Sequence, residues 1–185
     1  MKNAVGNFID QVTANATGDP ATNEDDVTHR IGIVKFSGNE SDQIGNDTYR
    51  SDGNTYNYSQ AVQDLTSVTG NVQSLKNAVN ELAAAGSTRT DFGLNQAQRV
   101  LDGDWQHGLG GAREEAKQVV VVFTDGEPST FSNWSGGVAA NAVNLAKDLK
   151  DDKVTVYTIG MFEDADPSDT DGRFNKYMNG VSSNY

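Results

Sequence analysis

Thr124, Asp125, Gly126 and Glu127 follow directly on the run Val119–Phe123. Two carboxylates and a hydroxyl within four residues are hard oxygen donors, the set that a divalent cation selects. An aspartate in this position could also accept a phosphoryl group or assist a hydrolytic metal, as in some doubly wound enzymes. The five residues before them are all β-formers and leave no polar face, which is how a strand covered on both sides of a parallel sheet reads. In open α/β sheets the carboxyl end of such a strand is where ligands bind. The alternative is that Asp125 merely caps the turn after a strand.

A second hydroxyl-rich stretch, Ser87-Thr88-Arg89-Thr90-Asp91-Phe92-Gly93, opens a helix that packs Leu94, Ala97, Val100 and Leu101. On spacing alone its threonines and aspartate are helix caps, accepting hydrogen bonds from free N–H groups of the first turn. The remaining candidates are weaker. His107 has no second histidine near it and reads as a loop residue. Gly108-Leu109-Gly110-Gly111 has neither a preceding strand nor the spacing of a dinucleotide-binding turn. Asp164, Asp166 and Ser168 alternate like calcium-loop ligands, but the bidentate Glu at the right offset is missing, so the segment reads as a solvated acidic turn before a helix. No Asp-x-Asp pair follows the central strand, and neither a P-loop nor a Gly-x-Ser-x-Gly elbow occurs, which argues against the enzyme reading of Asp125.

These residues are positioned by an alternation of apolar patterns. Val5, Phe8, Ile9 and Val12 at helical spacing predict a first amphipathic helix, with no strand before it. Thr13 to Thr28 reads as a loop and Ile31 to Phe36 as a strand. Residues 39–60 read as a long loop or a small edge hairpin around Tyr49, Tyr56 and Tyr58. Val72, Leu75, Val79 and Leu82 predict a helix over 72–84 ended by Gly86. A loop over 102–116 precedes the central strand, and a loop over Pro128–Gly137 holding Phe131 and Trp134 follows it. Then come a helix on Val138, Ala142, Leu145 and Leu149, a strand over Val154–Ile159 ended by Gly160, and a last helix on Phe174, Tyr177, Met178 and Val181. Strands alternating with helices, through connections too long for hairpins, predict an α/β domain with a doubly wound, mainly parallel sheet. Its 185 residues suit a single domain, 1–185, around one core.

Composition narrows the partners. Fourteen Lys and Arg against 26 Asp and Glu leave a net charge of −12, which argues against nucleic acid, whose binding draws on clustered basic residues. There is no cysteine, so a metal would be held by oxygen, or by His29 or His107. The apolar runs stop at about six residues, far short of the roughly 20 that cross a bilayer, so no membrane insertion is expected.

The Thr-Asp-Gly-Glu strand end, the Gly86–Thr90 turn and the strand Ile31–Gly38 together resemble the von Willebrand factor type A (vWA) domain. The order of elements resembles that family over nearly the whole chain. Within it the chain is most similar to adhesins at the tips of Gram-positive pili and related surface proteins. The resemblance implies a metal-ion-dependent adhesion site (MIDAS) with Thr88 and Asp125 as ligands of Mg²⁺, or Mn²⁺ or Ca²⁺. It implies a non-enzymatic module on the bacterial cell surface, binding a host or extracellular-matrix protein or another surface protein. A structural domain of a larger surface protein is the alternative. No Asp-x-Ser-x-Ser, the family's third ligand loop, occurs in this sequence, and the strand that should carry it is absent ahead of residue 1. Asp166-Pro167-Ser168-Asp169-Thr170 only mimics it, after the last strand. The absent strand belongs between Ile31–Phe36 and Val119–Phe123. The sequence is therefore expected to be truncated at both ends, to receive that strand from another chain, or to close the two flanking strands on each other, with weak cation binding in any case.

Overall fold

A computed structural model describes residues 1–16, 28–38, 48–51, 54–57, 59–103, 111–113, 115–130, 133–161, 168–169 and 171–183. The chain is α/β. Helix α1 (Lys2–Ala14) leads to strand β1 (Arg30–Lys35), a small hairpin β2 (Thr48–Ser51) and β3 (Asn54–Asn57), and strand β4 (Gln60–Ser67). Helices α2 (Val72–Asn80) and α3 (Thr90–Asp102) follow, then β5 (Val119–Thr124) and the short pair β6 (Ser129–Thr130) and β7 (Asn133–Trp134). Helix α4 (Gly136–Asp151), β8 (Thr155–Gly160) and α5 (Arg173–Val181) complete the order.

Most predicted elements appear within a few residues of their expected limits. The hairpin expected around Tyr49 and Tyr56 forms, with those two residues opposite each other. Four points differ. Strand β4, Gln-Ala-Val-Gln-Asp-Leu-Thr-Ser, was not foreseen; its mixed polar pattern suits an edge strand, and it pairs antiparallel with β1 through two register shifts. Helix α2 stops at Asn80 with Glu81 as its cap. Gly86 lies beyond it, at φ 71°, in an extended connection that ends where Ser87 donates to the Gly38 carbonyl at 2.8 Å. Strand β5 is incompletely covered at its start, where Val119 is 41% exposed. Finally, buried residues form two clusters instead of one core: Ile9, Ile33, Val68, Leu75 and Val79 in one, and Leu94, Val122, Leu149, Val156 and Val181 among the members of the other.

The reason for the split is the sheet. β5 pairs in parallel with β8, and β1 pairs with β4, but among the described residues no ladder joins β1 to β5. Of the three expectations for the absent central strand, direct closure of its two neighbours is therefore not what these strands do. Residues alternate faces along a strand, so the layers can be assigned. Ile33 meets α1 and α2, while Gly32 lies against Val100 of α3 and Phe36 against Gly93. On β5, Val122 joins Leu94 of α3, whereas the Phe123 ring meets Phe8 of α1 edge-on at 6.0 Å. Helices thus flank both faces, with α1 and α3 on opposite sides. Gly93 is required by this packing: a Cβ there would come within 2.8 Å of the Phe36 ring.

Candidate functional site

The turn after β5 divides its four polar residues by role. The Thr124 hydroxyl is buried, donates to the Gly126 carbonyl at 2.9 Å and accepts from the Gly126 N–H at 3.3 Å, so it shapes the turn. Glu127 is turned to Arg173, whose guanidinium donates to its carboxylate at 2.7 Å and also lies over the Trp134 ring, 4.4 Å from its centroid. Asp125 is left exposed, with no hydrogen bond or ion pair among the described residues. Of the two carboxylates that the sequence placed here, Glu127 is ion-paired and Asp125 has no partner among the described residues.

Thr88 is brought to the same place. Its N–H donates to the Ser129 hydroxyl at 3.0 Å and its carbonyl accepts from the Ser129 N–H at 3.1 Å, which fastens the turn before α3 to the loop after β5. The contact with Gly126 is closer still: a Cβ on Gly126 would fall 2.5 Å from the Thr88 hydroxyl oxygen. That hydroxyl has no hydrogen bond among the described residues. Thr88 is also not a helix cap, because the N-cap position of α3 is Arg89 and no side chain there caps the helix. The two residues singled out as metal ligands therefore sit side by side at the carboxyl edge of the strands.

Beneath Thr88 the anchoring is ionic and buried. Arg89 donates twice to Asp91, at 2.9 Å from Nε and 2.9 Å from Nη2, with side chains 8% and 3% exposed, and its guanidinium stacks 3.5 Å from the Phe92 centroid. The planar fork matches the carboxylate and immobilises the residue next to Thr88. Among the described residues, Thr90, Gln96 and Tyr177 bury side-chain polar atoms without a hydrogen bond of good geometry, although the Thr90 and Tyr177 hydroxyls lie near enough to interact. Burial pushes the Tyr177 hydroxyl from 10.0 up to about 12. Sequence reasoning missed the Arg89–Asp91 pair and Ser129. The first was visible as opposite charges two apart, but nothing in the sequence said that they would be buried; the second is one loop serine among many.

The donor set suits a hard, oxygen-seeking cation as far as it goes: one free carboxylate and one free hydroxyl, with a glycine admitting their close approach. It does not go far enough to fill an octahedral shell, and among the described residues no three acidic or histidine side chains gather at one point. His107, Asp164 and Asp166, and most of the stretch mimicking Asp-x-Ser-x-Ser, lie outside the described residues. The loop after β5 contributes Ser129, while 39–47 also lies outside the described residues.

The von Willebrand factor type A domain family model matches residues 1–177. The chain belongs to the von Willebrand factor type A domain family. No curated protein matches it. Among solved structures it is similar to proximal thread matrix protein 1 from the mussel byssus, at 15% identity and a TM-score of 0.51, over 97% of this chain. The chain spans 33% of the length of that structure. At this identity the likeness shows the fold alone. Domains of this family are in general protein-binding modules and are not typically enzymes, and no helix among the described residues is long and apolar enough to cross a membrane.

Proposed function

We propose that this chain is an adhesion module of a bacterial cell-surface protein, which engages an acidic group of a host, matrix or other surface protein through a divalent cation. Thr88 and Asp125 would hold that ion. One observation carries the reading: Asp125 and Thr88, whose carboxylate and hydroxyl have no hydrogen bonds among the described residues, lie at the same carboxyl edge, where a Cβ on Gly126 would fall 2.5 Å from the Thr88 oxygen. A cation bound there would act as a Lewis acid, and the neutral Thr88 donor leaves it able to accept a partner's carboxylate. The Arg89–Asp91 pair and Ser129 fix the backbone of the Thr88 turn before any ion arrives.

Mg²⁺ is the expected ion, with Mn²⁺ or Ca²⁺ as substitutes. With two protein ligands its binding should be weak, and this same scarcity favours the second reading, a structural domain that spaces its neighbours in a larger protein. Calorimetric titration of Mg²⁺ and Mn²⁺ into the protein and into Asp125→Ala separates the two. Heat lost in the variant supports the adhesion site; equal heats, or silence from both, would leave the spacer reading.

A further inference from the structure

The turn after β5 carries a second carboxylate that the candidate cation position does not use. Asp125 and Glu127 are two residues apart, so their backbones are separated by at most about 7 Å. The Thr124 hydroxyl fixes the shape of that turn through its two hydrogen bonds with Gly126. Rotation about the side-chain bonds of Glu127 moves its carboxylate without any change in this backbone.

The residue that holds Glu127 is placed by other contacts. The Arg173 guanidinium lies 4.4 Å from the Trp134 ring centroid, and Trp134 packs edge-on against Tyr177 of α5 at 6.0 Å. Arg173 opens α5, whose N-cap Gly172 offers no side chain and whose first turn has no acidic residue. A cation there opposes the helix dipole, so the arginine does not serve the helix. Lys176, the other cation at that end of α5, is held by Asp171 at 3.2 Å. Among the described residues Arg173 is thus the one ionic partner of Glu127.

The pair, at 2.7 Å, is open to solvent, with the Arg173 and Glu127 side chains 58% and 37% exposed. Exposed pairs add little to stability, so a stronger attraction breaks this one easily. With no ion bound, a carboxylate beside Asp125 meets only like charge, and Glu127 stays with Arg173. A divalent cation at Asp125 reverses that preference, since it draws Glu127 with twice the charge of a guanidinium. Mg²⁺ is commonly held by one or two carboxylates, so Glu127 suits the shell that Asp125 begins.

We propose that Arg173 is an autoinhibitory latch on the cation position: it keeps Glu127 away from Asp125, and opening the pair makes Glu127 a third protein ligand of the ion. This inference rests on the reading of Thr88 and Asp125 as ligands. Only molecules with the latch open offer the fuller donor set, so the apparent affinity for the ion is lowered by the open fraction. For an exposed pair that factor is about twofold to fivefold.

The test is calorimetric titration of Mn²⁺ into the full chain, into Arg173→Gln, into Glu127→Gln, into the double variant of these two, and into Arg173→Gln combined with Asp125→Ala. Arg173→Gln is expected to bind Mn²⁺ about twofold to fivefold more tightly than the unaltered chain. Adding Glu127→Gln should remove that gain. This comparison separates release of a ligand from simple loss of a positive charge, because a pure charge effect persists without the Glu127 carboxylate. Should Arg173→Gln not fold, as circular dichroism would show, Arg173→Lys takes its place; it keeps the charge but loses the planar fork, and a smaller gain with the same dependence on Glu127 is expected. A gain of equal size without Glu127, or no gain while Asp125 is still required, would overturn the latch and leave the cation reading standing. Binding that survives Asp125→Ala, or silence from every protein, would overturn the cation reading and the latch with it.

Discussion

Replacing Gly126 by alanine tests the closest approach in the site. The added Cβ would meet the Thr88 hydroxyl oxygen at 2.5 Å, a distance that real Cβ atoms essentially never show, while the next atoms, Thr88 Cβ and Cγ2, lie at 3.6 and 3.7 Å, in ordinary contact. The clash is thus with a single oxygen. Gly126 is not among the glycines at positive φ, so alanine suffers no backbone penalty there. Overpacking of this kind costs about 1–3 kcal/mol when the neighbour cannot move freely. Thr88 is held through its backbone by Ser129 and through its neighbour by the Arg89–Asp91 pair, so relief must come from its own χ1. Thr88→Ala deletes the offending oxygen, and Gly126→Ala in that background should then cost almost nothing. The coupling energy of this double-mutant cycle is expected to be about 1–3 kcal/mol. Urea unfolding of the four proteins measures it, with unchanged m-values as the check on comparable unfolded states. An equal penalty for Gly126→Ala with and without the Thr88 hydroxyl would refute the placement of Thr88 against the Asp125 turn, and with it the site.

Asp125→Ala should leave urea stability within about 0.5 kcal/mol, since the side chain is exposed and bonded to nothing described, while removing cation-dependent binding to a partner; preserved binding would end the metal role. Asp91→Ala strips the carboxylate from a buried guanidinium and should cost about 3–5 kcal/mol in unfolding free energy, with part of that recovered when Arg89→Met is added. Leu149→Ala, at a side chain 1% exposed in the larger cluster, should cost about 2–5 kcal/mol by the same assay. For Tyr177 the folded state holds the proton more tightly than the unfolded chain, so its contribution is complete below pH 10 and is lost as pH rises through about 12. At about 1.4 kcal/mol per pH unit this amounts to roughly 3 kcal/mol. Tyr177→Phe should flatten that part of the stability profile measured from pH 9 to 12, and an unchanged slope would assign the loss elsewhere.

Local pattern was enough for most of the framework. The Val119–Phe123 run, the helical spacing of Val72, Leu75 and Val79, and the strand before Gly160 each carry their own signal, because side-chain burial repeats every two or 3.6 residues whatever the rest of the chain does. Asp125 was legible for the same reason: a carboxylate at a strand end needs no knowledge of distant residues to be singled out. Thr88 was only half legible. The sequence shows a hydroxyl before a helix, and resemblance pointed to a ligand, but its place against Gly126 depends on residues nearly forty positions apart being folded together.

The tertiary structure decided what composition cannot express. Glu127, two residues from Asp125 and chemically similar, is taken by Arg173 from the last helix. Gly86, a good helix terminator by type, lies past the end of α2 because the chain must extend to reach Gly38. Val119 is apolar and yet exposed, since a strand pattern records what a face can tolerate and not what covers it. The absence, among the described residues, of a ladder between β1 and β5 is of the same kind: register and neighbour are properties of pairs of strands, and neither is written in either strand alone.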